Sequence, residues 1–287
     1  MTATTAESAA ATPELSPEGP HRVRGDAPFY IGLTVLGGLY VGLIVAMLLA
    51  DFSFSSTGDI LKVLRDENIR YSIKLSLISC CITTILALWV AIPIGYLMSR
   101  FDFPGKNLLD SILDIPIVLP PLVIGLSLLI LFRQTFLQPV DDYLNIAFHV
   151  PAVILAQFSV AAAFAVRTLR ATFDELSPRQ EQVALTLGCS RSQAFLLVVL
   201  PEARLGILTA GTLAWARALG EFGPILVFAG STRQKTEVLP VSVHLELSIG
   251  NIEGAVAVSM LMVVTAVTVL LLVRTLAGRA NFNGGFR

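Results

Sequence analysis

Charge is scarce in this chain. Only 14% of its 287 residues are Asp, Glu, Lys or Arg, against 54% that are hydrophobic; a soluble domain carries roughly a quarter charged residues. The 20 basic and 21 acidic residues nearly cancel, to a formal net charge of −1, so no basic excess points to nucleic acid. Cysteine is scarce too. Cys80 and Cys81 are adjacent in an apolar run and Cys189 stands in a polar segment, which offers neither a disulfide framework nor a metal-ligand spacing. His21, His149 and His244 are far apart in sequence, with no zinc or nucleophile pattern around them. A G-x-x-x-x-G-K-[ST] phosphate loop is missing: the Gly105-Lys106 pair continues into Asn107. The chain is therefore not expected to bind ATP itself.

Long apolar runs take the place of charge. About 20 apolar residues in a helix cover a hydrocarbon core, and such runs fall at 29–50, 75–98, 108–132, 148–169, 205–229 and 254–273. The chain reads as an all-α integral membrane protein with six transmembrane helices. Residues 1–28, rich in Ala, Thr, Ser, Pro and Glu, read as a disordered tail. Residues 29–70 supply the first span and an external loop, 71–275 the transmembrane core, and 276–287 a second tail. The first run is long for a signal-peptide core and ends without an A-x-A-like site, so it reads as a retained helix. With the N-terminus inside, twelve Lys and Arg fall on the cytoplasmic side and seven outside, with Arg217 within a span. That bias places both termini in the cytoplasm.

One polar segment interrupts the runs between the fourth and fifth spans, "SPRQEQVALTLGCSRSQAFLLVVLP" at 177–201. Ser177, Pro178 and Gln180 fit an N-cap, a first-turn proline and an N3 glutamine. Gly188 stands where a helix ends in a left-handed turn. Ser190 and Gln193 repeat the capping pair, and a second helix runs to Pro201. Val183, Ala184 and Leu187 are expected on one apolar face. The segment reads as helix, glycine turn, helix on the cytoplasmic side. Such a loop either lies on the membrane surface or packs under its own bundle, or it meets a partner. The narrow apolar stripe and the small, shaped, doubly capped form favour the partner.

This segment resembles the EAA loop of binding-protein-dependent ABC importer permeases: a Glu followed by small residues, a Gly seven positions after the Glu, and a Leu-Pro about a dozen further on. Glu181, Ala184, Gly188, Leu200 and Pro201 match, while Val183 stands where a second small residue is usual. The resemblance implies a coupling helix docked on a separate ATPase subunit, which holds ATP and Mg. This chain then needs no cofactor of its own. It also implies an extracytoplasmic solute-binding protein, a second permease copy (an identical one favoured over a homologue), surrounding lipid, and a place as a multi-pass protein in a prokaryotic cell membrane. "WARALGEFGPILVFAG" (215–230), "TEVLP" (236–240) and the stretch 100–132 resemble the permeases for tetrahedral oxyanions. Within that branch "ALGEFG" and "VFAG" look most like the molybdate members, which implies molybdate or tungstate as cargo, with sulfate or thiosulfate as the alternative. Pro224 in place of a small residue and "STRQK" before "TEVLP" depart from the pattern.

Isolated charges and helix breakers are the remaining candidates. Arg217 and Glu221 are four apart in the fifth span. A lone mid-span Arg costs about 2.5–3.5 kcal/mol to insert, so a neutralised packing pair is favoured over an Arg that draws in the anion. Asp110 and Asp114 share a face of the third span. Paired carboxylates serve acid–base catalysis, but with no nucleophile or metal pattern beside them they read as partnered structural charges or water-facing residues. Pro116, Pro120, Pro121 and Gly125 in the third span, and Gly211, Gly220, Gly223 and Pro224 in the fifth, interrupt regular helix. Broken helices are where transporters place pathways, and small residues also serve close helix packing. A membrane enzyme using Asp110, Asp114 and Glu221 finds no recognised catalytic arrangement in the sequence, and a membrane anchor or signalling subunit has little use for those breaks.

Overall fold

The computed structural model describes residues 27–54 and 62–284, and among them every regular element is a helix. Residues 1–26 of the expected tail 1–28, part of the external loop at 55–61 and the last residues at 285–287 lie outside the described residues. Contacts divide the chain into two units, 1–50 and 51–287. The first unit's described residues belong to helix α1 (Ala27–Phe54), whose stretch Phe29–Ser53 has a mean hydropathy of 2.3.

The second unit is built around three helices: α2 (Glu67–Arg100), α6 (Val150–Glu175) and α9 (Arg204–Leu219). Asp66 caps α2 by accepting from the Asn68 N–H at 2.8 Å. Glu67 in the first turn and Arg100 in the last oppose the helix dipole. The core where the three meet is rich in alanine, with Ala87 and Ala91 of α2, Ala161 and Ala165 of α6, and Ala210 and Ala214 of α9 all fully buried. In lipid no hydrophobic drive separates helix from surroundings, so close backbone approach through small residues holds such a bundle. A β-carbon on Gly95 of α2 would lie 3.1 Å from the Arg170 nitrogen of α6. One buried polar tie crosses all three helices. Gln157 on α6 accepts from the Thr83 hydroxyl at 3.1 Å and donates to the Ala218 carbonyl at 3.2 Å. The Gln157 amide nitrogen also donates to Cys80 Sγ at 3.7 Å, so both ends of the amide are engaged, as burial in such a core requires.

Among the described residues four helices are long and apolar enough to cross a membrane, or up to six if each bent pair counts as one span. The third expected span, 108–132, is not one rod. It divides into α3 (Lys106–Val118) and α4 (Pro121–Phe132), bent by 111°. The cause is local: neither Pro120 nor Pro121 has an N–H, and the residue before a proline is pushed to extended backbone, as at Leu119 (φ −65°, ψ 140°). A short helix α5 (Gln138–Leu144) leads to α6, and α7 (Pro178–Thr186) and α8 (Arg191–Glu202) form the loop before α9. The fifth expected span, 205–229, is also divided, into α9 and α10 (Gly223–Phe228), and α8 meets α9 at 71°. Helix α11 (Leu239–Ser248) was not foreseen by hydropathy, being only 10 residues long. The last helix, α12 (Ile252–Gly284), runs on through residues 276–284 of the expected tail 276–287.

Candidate functional site: the helix-turn-helix loop and its anchorage

The polar loop follows its punctuation closely. Ser177 caps α7 by accepting from the Arg179 N–H, with Pro178 in the first turn. At the other end the Gly188 N–H donates to Leu185 O and the Cys189 N–H to Ala184 O, both at 3.1 Å. These two bonds form a Schellman turn, and they require the left-handed φ of +94° at Gly188. Ser190 and Gln193 form a reciprocal capping box at 2.8 and 3.3 Å. Helix α8 then widens into a π turn over Phe195–Val199, in which the Leu200 N–H reaches back to Phe195 O. Pro201 cannot donate to Leu197, so a wider ring absorbs the missing bond. Pro201 was the sequence signal for this widening.

The faces of α7 differ from the expected stripe. Ala184 is buried at 7% exposure, whereas Val183 and Leu187 are 56% and 80% exposed. Glu181 joins Ala184 on the inward side. Its carboxylate accepts from the Tyr96 hydroxyl at 2.5 Å and lies 3.6 Å from Arg100 Nε. Arg100 also donates to Leu176 O at 2.9 Å, at the junction of α6 and α7. Helical spacing of three places 181 and 184 on one face, but which face turns inward depends on α2, some 85 residues away in sequence.

The other candidates fall into two groups. Asp110 and Asp114 of α3 are partnered by Arg170 and Arg167 of α6, the second pair at 2.9 Å. With Met98 and Asp174 they line a cavity of about 210 Å³. Arg217 at the end of α9 reaches Glu221 at 3.0 Å and lies over the Phe164 ring at 5.5 Å. Glu221 is 1% exposed. Gly220, beside the pair, ends α9. Pro116 stands inside α3, while Pro120 and Pro121 make the bend into α4. Gly125 and Pro121 of α4 meet Pro224 and Gly223 of α10 backbone to backbone. Four of the breakers, Pro121 and Gly125 of the third span and Gly223 and Pro224 of the fifth, are thus brought together at one helix crossing, while Gly211 faces Leu88 and Thr84 of α2.

A bundle of bent membrane helices carrying a capped helix-turn-helix loop defines a class of protein. The fold is similar to that of a chain in the crystal structure of a bacterial ABC transporter involved in import of the acidic polysaccharide alginate. The TM-score is 0.71 at 15% identity, covering 88% of this chain and 96% of that one. Residues 91–281 match the family "Binding-protein-dependent transport system inner membrane component", and the chain belongs to that family. It is thus a multi-pass membrane transport component, and the membrane-enzyme reading is set aside. Relatives include the molybdate/tungstate transport system permease protein WtpB of Thermococcus kodakarensis, 30% identical over 90% of this chain and 100% of that one. The sulfate transport system permease proteins CysT of Salmonella typhimurium and CysW of Synechococcus elongatus are 30% and 33% identical. They cover 82% and 75% of this chain, and 85% and 76% of their own lengths.

Proposed function

We propose that this chain is the membrane-spanning subunit of an ATP-driven importer that passes molybdate or tungstate, delivered by an extracytoplasmic binding protein. The observation that carries the cargo is the end-to-end match with a molybdate/tungstate permease, against partial coverage of the sulfate permeases. Sulfate is the second reading, because identity with CysW is slightly higher at 33%. Both termini face the cytoplasm, residues 71–275 form the transport core, and two copies make the pathway.

The α7–α8 loop is the coupling element of a separate ATPase subunit, which carries ATP and Mg. Glu181, Ala184, Gly188, Leu200 and Pro201 shape it, and the exposed Val183 and Leu187 are what it offers a groove. The caps and the Schellman turn make it a stiff knob, able to transmit displacement rather than absorb it. The bends at Pro120–Pro121 and at 220–222 give the core jointed helices near the pathway.

Uptake of labelled molybdate in cells lacking the gene, with and without complementation, tests the reading. Gene-dependent uptake blocked by excess tungstate but not by sulfate supports it. Block by sulfate moves the cargo to the second reading. Absence of gene-dependent uptake of labelled molybdate and labelled sulfate alike overturns the oxyanion claim.

A further inference from the structure

The inward placement of Glu181 divides labour within the loop in a way the motif alone does not. A carboxylate on an amphipathic loop helix is an obvious candidate for a docking contact with a cationic partner. Here both oxygens are already engaged within the chain, one by the Tyr96 hydroxyl at 2.5 Å and the other near Arg100. The Glu181 and Arg100 side chains are only 14% and 13% exposed. Turning Glu181 outward would strip it of a charge-assisted bond and leave Arg100 half-buried without its counter-charge, a change that runs against the energetics of such pairs.

Tyr96 is the hub of this arrangement. Its ring packs on Phe173 of α6 at 5.8 Å and on Phe195 of α8 at 4.6 Å, and it meets Phe101 edge-on at 6.1 Å. Arg191, the first residue of α8, lies over that same Phe101 ring at 5.8 Å. One side chain near the end of α2 therefore touches α6, α7 and α8 together. The ring fixes where the loop sits, and the hydroxyl fixes how α7 is rotated about its axis.

We infer that Tyr96 is a positioning residue for coupling: through its bond to Glu181 it sets the rotation of α7, so that Val183 and Leu187 face the partner and loop displacement passes rigidly into α2. Glu181 is then an internal strut, with no docking role. This rests on the coupling role proposed above for the loop. It assigns a role to Tyr96, a residue outside the loop motif.

Tyr96→Phe isolates the hydroxyl, because it keeps every aromatic contact. In the purified chain, hydrogen exchange is expected to quicken over 178–188 and to stay unchanged in the α2–α6–α9 core. In the full transporter with its ATPase, the variant is expected to keep ATPase association and to lose uptake per ATP hydrolysed by roughly tenfold, the equilibrium weight of a lost hydrogen bond to a charged group. Glu181→Ala should lose at least as much, because it also takes the counter-charge from Arg100, and the double variant should be no worse than Glu181→Ala alone, since the Tyr96 bond is already gone there. Glu181→Gln keeps an acceptor for Tyr96 and should recover much of the coupling.

Wild-type coupling and exchange in Tyr96→Phe, with lost ATPase association in Glu181→Ala, would overturn the inference and make Glu181 a docking contact. If Tyr96→Phe folds poorly, Glu181→Ala against Glu181→Gln gives the same comparison. Should the wild-type chain fail to bind an ATPase at all, the coupling role itself falls. The exchange measurement on the chain alone still decides whether the hydroxyl orients α7.

Discussion

Gly125 of α4 rests directly on Pro224 of α10: a β-carbon at residue 125 would stand 2.7 Å from the Pro224 Cα and 2.8 Å from its carbonyl oxygen. The contact is answered on the other side, where a β-carbon on Gly223 would meet Pro121 Cβ at 3.0 Å and Leu122 N at 3.1 Å. Two broken spans therefore lock together at their breaks. The neighbours are mostly backbone and cannot step aside.

Gly125→Ala is accordingly expected to force α4 and α10 apart, at a cost of about 1–3 kcal/mol for overpacking. Unfolding of the purified chain in mild detergent measures it. A Gly125→Ala protein as stable as wild type would mean the crossing is loose.

Gly188 makes the opposite case. Nothing lies within 4 Å of the β-carbon that would be added there, yet its φ is +94°. Space is free and conformation is not. Gly188→Val is expected to leave the transmembrane bundle intact, cost roughly 1–2 kcal/mol of local strain, and uncouple ATPase activity from uptake. Gly188→Asn, which tolerates left-handed backbone, should retain most coupling. Equal behaviour of the two variants in an uptake assay would count against the turn as the functional feature.

Arg217→Ala strands the buried carboxylate of Glu221, and stability should fall by about 3 kcal/mol, at the low end for a broken buried pair because Arg217 is partly exposed. Pairing Arg217→Leu with Glu221→Gln removes both charges and should recover most of that loss. The double variant then separates two roles. Recovered folding with normal uptake marks a packing pair; recovered folding with abolished uptake marks a cation needed by the passing anion.

Glu237, in the connection before α11, is fully buried. The Ser242 hydroxyl donates to its Oε1 at 2.9 Å, while its Oε2 has no hydrogen-bond partner among the described residues. Burial pushes this carboxyl above its usual value near 4.5, against the lowering pull of the Ser242 bond and of Arg233; the charge of Asp66 adds to the rise. A raised value means that the folded chain holds the proton more tightly than the unfolded one. The stabilising contribution is therefore complete below 4.5 and is lost as pH climbs through the folded value. Melting temperature measured from acid to neutral pH should fall less steeply in Glu237→Gln than in wild type. Parallel slopes in the two proteins would remove Glu237 from the account.

Local rules made much of this protein legible before any fold was seen. Apolar run length marked the spans because a helix in lipid must satisfy its backbone within itself. Ser177, Gly188, Ser190 and Gln193 marked the loop because capping acts within a few residues, and Pro120–Pro121 marked a break because a missing N–H is a property of the residue. What lay beyond that reach was decided by tertiary structure. The sequence placed Asp110 and Asp114 on one face but could not choose Arg170 and Arg167, 60 and 53 residues away, as their partners. It offered Gly125 and Gly223 as breakers, and only the crossing of α4 on α10 made them a contact. It grouped Val183 with Ala184, and only Tyr96 and Arg100, closing on Glu181 from another helix, turned α7 the other way. Spacing along one helix fixes which residues share a face; which face turns inward is settled by the charges and rings that the rest of the chain brings to meet it.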